Sequence, residues 1–264
     1  MEVSIMTFNL RFHTETDEGN CWTYRKDGVA DIFARYRPTV AGTQEGLSGM
    51  LDDLQQRLPE YAWVGEGRKG GSECEHNAIF YRKDEVQLVD WGQFWLSEQP
   101  AGPLEKSWGA THYRISTWAQ FRFKADPERQ FLHYNTHLDH SSQLAREKGS
   151  RLLWERLEAH RSRVRLPVLL TGDMNAEPDN PAIAFLRGQL EADGARSTLT
   201  DAYLTLPGEP GLSFHCFRGG EEGRPIDYVF ASPDVAWTGV RIIRDRVNGL
   251  YPSDHYPVLA QAVL

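Results

Sequence analysis

A short apolar stretch that ends in a carboxylate and an amide is the part of this sequence best suited to chemistry. Residues 166–172 are mostly apolar, and Asp173 and Asn175 follow them. Such a run predicts a buried strand, and residues two apart in an extended chain share one face. A carboxylate that accepts a proton beside an amide that donates hydrogen bonds suits phosphoryl or acyl hydrolysis. The alternative is an ordinary strand end closed by a turn, in which Asp and Asn are common.

Further polar groups adjoin predicted strands along the whole chain. They are Asn9, Glu45, His137, Asp227, Asp254 and His255. The first three follow an apolar segment, and the last three begin or precede one. Because the end of one strand lies beside the start of its antiparallel neighbour, we expect all of them on one rim with Asp173. A single carboxylate has a simpler explanation, since it also favours the dipole of a following helix.

Hydrophobic spacing predicts the elements that position these groups. Helices are predicted over residues 23–36, 47–58 and 141–160, and a short one after Asn180 and Pro181. Apolar runs of strand length cover residues 4–8, 39–43, 61–64, 77–81, 86–89, 94–96, 115–123, 131–137, 166–172, 227–230 and 257–263. Frequent turns with few helices between residues 61 and 123 favour antiparallel pairing.

A glycine-rich loop over residues 65–71 carries Arg68 and Lys69. Its glycine spacing is too irregular for a phosphate-binding motif. We interpret it as a solvated loop tip. Contact between its two cations and an anionic substrate is the alternative.

The composition indicates one globular domain. The chain has 264 residues, 40% hydrophobic and 25% charged, without a linker-like segment, and we expect a single domain over residues 1–264. The N-terminal segment lacks the parts of a signal peptide, so we expect a cytoplasmic protein with no membrane partner. Cys21, Cys74 and Cys216 form no C-x-x-C pair, which disfavours a disulfide framework and a thiolate zinc site.

The charge balance and the residue types favour a hard cation. The formal net charge is -8, from 29 Lys and Arg against 37 Asp and Glu, which disfavours a dedicated binder of long nucleic acid. A carboxylate cluster neutralised by cations fits the same balance. Oxygen ligands suit magnesium or manganese, and Glu45 is the leading ligand. The G-x-S-x-G motif is absent, so we expect direct attack by water rather than a covalent intermediate.

Short motifs recur in order along nearly the whole chain. They are Asn9 after the first strand, Gln44-Glu45, Asn135-Thr136-His137, Gly172-Asp173-Met174-Asn175, Ile226-Asp227-Tyr228 and Ser253-Asp254-His255. Together they resemble the endonuclease/exonuclease/phosphatase superfamily. Trp22-x-x-Arg25 and residues 94–97, 137–140 and 251–255 are similar to one bacterial branch, distantly related to the nocturnin and deadenylase enzymes. The resemblance implies an α/β (α+β) fold, a four-layer α/β sandwich of two mostly antiparallel β-sheets packed face to face with helices outside.

The resemblance implies a metal site and a substrate contact. Glu45 would bind Mg²⁺ or Mn²⁺, with Asn9 and Asp254 close by. Arg114 would touch the phosphate. The motifs do not identify the acid partner of His137, and we expect it to be Glu75.

The resemblance also implies the groups that act on the ester. Asp173 would activate the water or serve the leaving group, and Asn175 would orient the phosphate. His137 and His255 would contact phosphoryl oxygens. Asp227 would support His255, as the residue types already suggest for a carboxylate-imidazole pair. We therefore expect a metal-dependent phosphoric ester hydrolase.

Three alternatives remain from the sequence. Asn135-Thr-His-Leu-Asp-His140 is one residue short of the H-x-H-x-D-H motif of zinc hydrolases. An inert scaffold of the same fold would bind a protein or an oligonucleotide. A nuclease on DNA or RNA would use Trp22, Trp95 or Trp108 for stacking, although core packing is the default for tryptophan. With the acidic net charge, we expect a phosphorylated small molecule or a short oligonucleotide, a monoester or a diester, and no obligate protein partner.

Overall fold

The computed structural model describes residues 1–102 and 104–264. Within these residues the α-helices are α1 (Trp22–Tyr36), α2 (Ser48–Arg57), α3 (Gln143–Val164) and α4 (Pro181–Leu186). The strands are β1 (Glu2–Asn9), β2 (Val40–Gln44), β3 (Tyr61–Val64), β4 (Ile79–Arg82), β5 (Val86–Trp95), β6 (Ile115–Phe123), β7 (Gln130–His137), β8 (Val168–Asp173), β9 (Glu191–Ala192), β10 (Ala195–Arg196), β11 (Thr200–Asp201), β12 (Asp227–Ala231), β13 (Ala236–Ile242) and β14 (Val258–Val263).

The described strands form two six-stranded sheets and a small hairpin of β9 and β10. The first sheet has the order β13-β14-β1-β2-β4-β3, and the second has the order β11-β12-β8-β7-β6-β5. Each sheet is antiparallel except for one parallel pair, β1 with β2 and β7 with β8. The expected mostly antiparallel pairing is therefore confirmed.

The helices form the two outer layers. Val29, Ile32 and Phe33 of α1 are buried in one cluster with the outward face of the first sheet, and α2 joins the same cluster. Leu153 of α3 and Ile183 of α4 are buried in the cluster that fills the second sheet and the space between the sheets. The predicted four-layer sandwich is confirmed, while the single-domain interpretation stays a prediction.

Strand register brings the polar strand ends to one rim. Asp227 at the start of β12 lies opposite Asp173 at the end of β8. His137 at the end of β7 lies beside the same Asp173, and Asn9 at the end of β1 lies beside Gln44 at the end of β2. Ends and starts of strands from both sheets thus meet at one end of the sandwich.

A buried polar contact links the two sheets just below this rim. Gln44 Nε2 of the first sheet donates to Asn135 Oδ1 of the second at 2.7 Å, and Asn135 Nδ2 donates to Thr43 O at 2.8 Å. The sheets approach so closely that a Cβ at Gly42 would stand 2.0 Å from Thr171 Oγ1. We call Gln44, Asn135 and Thr171 the intersheet contact.

Some predicted boundaries differ from the structure. The two short strands predicted over residues 86–89 and 94–96 are one strand, β5, with a register shift between Leu88 and Asp90. The shift interrupts the alternation of apolar residues, which explains the false gap. Among the described residues, no helix is long and apolar enough to cross a membrane.

Candidate active site

The converging strand ends enclose one cavity of about 390 Å³. Its lining residues are Arg11, Phe12, Glu45, Arg68, Glu75, His112, Arg114, His137, His140, Asp173, Asn175, Phe214, Ile226, Asp254 and His255. Seven of the nine predicted site residues are among them. The other two, Asn9 and Asp227, are 0% and 1% exposed and stand behind the cavity wall.

Asp173 and Asn175 share the cavity for a different reason than expected. The strand ends at Asp173, and Asn175 has a φ of 46°, so the chain turns instead of continuing extended. Asn175 N donates to Asp173 Oδ1 at 2.9 Å, and Asn175 Nδ2 donates to Leu138 O at 3.0 Å. The expectation of an extended pair was therefore wrong, because a tight turn brings both side chains to the cavity.

Glu45 is held by donors on both of its oxygens. Asn9 Nδ2 donates to Glu45 Oε1 at 3.0 Å, and Phe12 N donates to Oε2 at 3.1 Å. Burial opposes ionisation of Glu45, yet these bonds and the charge of His255 lower its pKa. Asn9 Oδ1 accepts from Arg11 N at 2.9 Å, so the Asn9 amide orients neighbours from behind, and its role as a direct metal ligand stays a prediction.

Asp254 lines the cavity near Glu45, on the segment that precedes β14. Burial raises its pKa, and the nearby Glu45 adds to this effect against the opposing charge of His255. Ser253 Oγ donates to Asn9 O at 2.7 Å and fixes the segment against β1. Arg25 reinforces this, because its Nη1 donates to both Leu10 O and Pro252 O at 2.8 and 2.7 Å.

His255 lies between two carboxylates. Its Nδ1 is 2.9 Å from Asp227 Oδ2, and its Nε2 is 3.8 Å from Asp173 Oδ2. Burial opposes the charge, but Asp227 and Asp173 overcome it and raise the pKa of His255 well above its ordinary value. Ser213 Oγ donates to the same Asp227 oxygen at 2.6 Å and keeps it in place. The ring is therefore an imidazolium with Nε2–H facing Asp173.

His137 has the opposite surroundings. Arg68 Nη2 lies 3.1 Å from its Nδ1, and Asp173 Oδ2 lies 3.3 Å from its Nε2. Burial and the charges of Arg114 and Arg68 lower the pKa of His137 well below its ordinary value. Because a guanidinium only donates, Nδ1 must accept, and the neutral ring carries its proton on Nε2.

Glu75 reaches His137 only through Arg68. The Arg68 Nη2 atom is 2.7 Å from Glu75 Oε2, so the expected direct acid partner is replaced by an arginine that bridges the two. Burial raises the pKa of Glu75, although Arg68 opposes this. The nearest carboxylate partner of His137 itself is Asp173.

Arg114 lines the cavity from the start of β6. Its Nε is 3.4 Å from Asp139 Oδ2, and its Nη2 is 3.2 Å from His140 Nδ1. Burial and the nearby Arg68 lower its pKa to about 10, so it is a cation at neutral pH. Its Nη1 is buried without a partner among the described residues. One guanidinium nitrogen of this cavity-lining side chain thus has no acceptor among the described residues.

A family model described as the endonuclease/exonuclease/phosphatase family matches residues 6–255. The chain belongs to this family. A mannosyl-6-phosphatase of Bacteroides thetaiotaomicron is 30% identical, with a TM-score of 0.89 over 99% of this chain and 100% of that one. A family member from Bacteroides vulgatus is 32% identical, with a TM-score of 0.88 over 100% and 99%. The expected family resemblance is therefore confirmed.

A more distant relative of the family has a longer chain. Nocturnin of Drosophila melanogaster is 26% identical over 92% of this chain and 42% of its own length. The chain spans less than half the length of the curated relatives it matches. The likeness to these relatives is consistent with the expected nocturnin-related branch of the endonuclease/exonuclease/phosphatase family.

The donor set fits a divalent cation. Within the described chain, three groups place ligand atoms within 4.8 Å of one another. They are Glu45-Glu75-His137, Asp173-Asp227-His255 and His112-Asp139-His140. Glu45 and Asp254 both line the cavity, and burial together with the charge of Glu45 raises the pKa of Asp254. A cation bound by these carboxylates would offset their mutual repulsion.

The zinc-hydrolase interpretation does not fit this family member. Asn135, in place of the missing histidine, is buried and donates to Thr43 O and Ala78 O. The ligand atoms of His137 and His140 belong to two different clusters. Asn135 therefore belongs to the intersheet contact, while His137 and His140 belong to two separate clusters at the cavity wall.

The sequence interpretation missed the role of Arg68. It was assigned to a solvated loop tip, but its side chain is 2% exposed and lines the cavity. Trp95 Nε1 donates to Arg68 O at 2.9 Å and holds the loop against β5. Phe214, which was not singled out, lies 4.9 Å from the ring of His255, centroid to centroid. Of the tryptophans considered for stacking, Trp22 is buried in the core.

Proposed function

We propose that this chain is a divalent-metal-dependent phosphoesterase that hydrolyses a small or short phosphate ester by direct attack of water. One observation carries the proposal. The same cavity is lined by the carboxylates of Glu45 and Asp254 and by the N–H donors of His255 and Arg114. This arrangement suits a cation and a phosphoryl group held next to each other.

Glu45 and Asp254 are the proposed metal ligands. Asn9 orients Glu45 through the bond to Oε1. All-oxygen ligands favour Mg²⁺ or Mn²⁺ over softer ions. Such an ion, when bound, supplies Lewis-acid polarisation of a phosphoryl oxygen.

Asp173 is the proposed acceptor of the proton from the attacking water. Burial and the charge of Asp227 raise the pKa of Asp173 to about 7. A carboxylate with a pKa near the working pH is an efficient general base. Asn9 Nδ2 and Asn175 N, each 2.9 Å from one of its oxygens, fix its orientation toward the cavity.

The remaining side chains hold the phosphoryl group in the proposed mechanism. The imidazolium of His255 donates from Nε2 to a phosphoryl oxygen, and Arg114 donates from its unused Nη1. Asn175 uses the amide proton that is not bonded to Leu138 O. His137 adds an Nε2–H donor without charge. Water forms the new P–O bond and gives a proton to Asp173, the ester P–O bond breaks, and the leaving oxygen takes a proton from solvent and departs as an alcohol.

A phosphorylated sugar is the first substrate class to test. The mannosyl-6-phosphatase with 30% identity over the whole chain supports this choice. A cavity of about 390 Å³ is of the size that encloses a small molecule. A nuclease would need an extended groove beyond this cavity.

A substrate panel tests the proposal. Purified protein is assayed with mannose 6-phosphate, bis(p-nitrophenyl) phosphate, and single-stranded and duplex DNA, each with Mg²⁺, Mn²⁺ or EDTA. We expect hydrolysis of the sugar phosphate that EDTA abolishes and Mg²⁺ or Mn²⁺ restores. Turnover that resists EDTA would contradict the metal dependence. A folded protein without turnover of any substrate would overturn the proposed activity.

A further inference from the structure

A second cavity of about 320 Å³ adjoins the catalytic one. Its lining residues are Arg68, Lys69, Cys74, Lys106, Thr111, His112 and Tyr113. Arg68 and His112 line both cavities, so the two cavities are direct neighbours. We call this second cavity the cationic annex.

The annex is strongly basic. Lys69 and Lys106 contribute two exposed cations, Arg68 contributes a third that is paired with Glu75 at 2.7 Å, and the described lining residues include no carboxylate. The Lys106 ammonium lies 5.4 Å from the centroid of the Tyr113 ring, which places the cation at the annex wall. In a chain with a net charge of -8, such a local excess of positive charge selects an anion.

The loop that carries two of these cations has a defined structure. Arg68 N donates to Glu75 O at 2.9 Å, and Gly67 N donates to Gly71 O at 2.7 Å. A Cβ at Gly67 would stand 1.8 Å from Glu73 O, so the loop closes on itself where only glycine fits. The cations are therefore presented by a folded loop, which reduces the entropy lost when a ligand binds.

Arg68 connects the annex to the chemistry. Its Nη2 contacts both Glu75 and His137 at the catalytic cavity. Its Nε is buried and has no partner among the described residues. The Arg68 side chain, which is nine-tenths buried or more, thus lies between the two cavities and has one N–H donor without a partner among the described residues.

We propose that the annex binds a second phosphate on the leaving group, so that the preferred substrate is a small bisphosphorylated molecule. The inference rests on the proposed function, because the first phosphate occupies the catalytic cavity. A phosphate dianion with three acceptor oxygens matches several cations better than a carboxylate does. The small volume of the annex favours a compact molecule over a nucleic acid strand.

The test compares a matched pair of substrates. Fructose 1,6-bisphosphate and fructose 6-phosphate are assayed with the native protein and with the double variant Lys69→Gln/Lys106→Gln. Lys124→Gln is the control, since Lys124 is an exposed lysine just after the end of β6 away from the rim. We expect the double variant to raise KM for the bisphosphate about tenfold, the combined worth of two exposed ion pairs, and to leave the monophosphate nearly unchanged.

The outcomes separate the inference from the proposed function. If KM is the same for both substrates and does not change in the double variant, the annex proposal is overturned. Hydrolysis of either substrate would still support the proposed phosphoesterase activity. Calorimetric titration of fructose 1,6-bisphosphate in EDTA measures binding without turnover. Weaker binding to the double variant than to the native protein or Lys124→Gln supports the annex, and equal binding overturns it. A lysine-dependent preference for a short oligonucleotide over the bisphosphate would overturn the small-molecule assignment.

Discussion

His255 and His137 face the same Asp173 oxygen, at 3.8 and 3.3 Å, but differ in the neighbour of their Nδ1 atoms. His255 Nδ1 meets the Asp227 carboxylate, and His137 Nδ1 meets the Arg68 guanidinium. The pKa is raised for the first ring and lowered for the second. Burial opposes the charged form of both rings; Asp227 and Asp173 overcome it at His255, whereas Arg114 and Arg68 add to it at His137, so the two rings hold opposite protonation states.

In the proposed mechanism, this difference gives the two rings different roles. A cationic imidazole stabilises negative charge that grows on a phosphoryl oxygen, and a neutral one donates a hydrogen bond without adding charge. Arg68 and Arg114 already supply positive charge next to His137. A cationic His137 would be repelled by these two arginines, whereas a cationic His255 is stabilised by the carboxylates of Asp227 and Asp173.

The largest effect is expected from removing the charged ring or the shared acid. His255→Ala and Asp173→Ala should each lower kcat/KM for the metal-dependent reaction on the order of 100- to 1000-fold, the usual cost of one such electrostatic group. His160→Ala is the control, since His160 lies on α3 and contacts Tyr134 Oη at 2.8 Å. Near-full activity of either site variant would refute the assigned role.

A smaller loss is expected on the neutral side. Arg68→Met removes the donor to His137 Nδ1 and should lower kcat/KM roughly 10- to 100-fold, as for a charged hydrogen bond worth about 1.5–3 kcal/mol. Arg82→Met, at the end of β4 away from the rim, is the matched control. Circular dichroism checks that both variants fold, because Glu75 loses its partner in the first. Equal activities of the two variants would show that Arg68 has no part in the reaction.

The protonation of His255 can be changed without altering its ring. In the metal-free protein, Asp227→Asn should lower the pKa of His255, because a carboxylate next to an imidazole favours its charged form. His137 should stay neutral, with its proton on Nε2. Nitrogen-detected NMR of the histidine rings across pH 5 to 9 measures both. A His255 titration that matches the native protein would remove Asp227 as the cause.

The smallest effect concerns a third histidine outside the cavity. Burial lowers the pKa of His133 to about 3. Because the unfolded state then binds more protons below about pH 6.5, the free energy of unfolding decreases as the pH is lowered, by up to about 1.4 kcal/mol per pH unit. His133→Gln should flatten this dependence in urea unfolding of metal-free protein at pH 6 and 5. The same dependence in the native protein and the variant would exclude His133 as a source.

Much of the site was predictable because it follows the strands. Asn9, His137 and Asp173 end apolar runs, and Asp227 begins one, so the register of a sheet brings them together. The start and the end of an apolar run can be recognised from the local sequence. The family motifs then distinguished the site from ordinary turns.

The part that escaped prediction depends on loops. Arg68 turns inward because the loop of residues 65–76 closes around glycines and is held by Trp95, which is far away in sequence. Asn175 reaches the cavity through a positive φ that its apolar flanks do not signal. Tertiary contacts decide both positions, and hydrophobic spacing carries no information about them.

The intersheet contact limits how the two halves of the cavity can move. Glu45 and Asp254 lie at the end of the first sheet, and His137 and Asp173 lie at the end of the second, so sliding of one sheet over the other would separate the proposed metal ligands from the proposed general base. Such a shear would leave the buried amides of Gln44 and Asn135 without partners, at a cost of about 1–3 kcal/mol for each unsatisfied group. The intersheet contact therefore fixes the alignment of the candidate site from below, independently of the loops that surround the cavity.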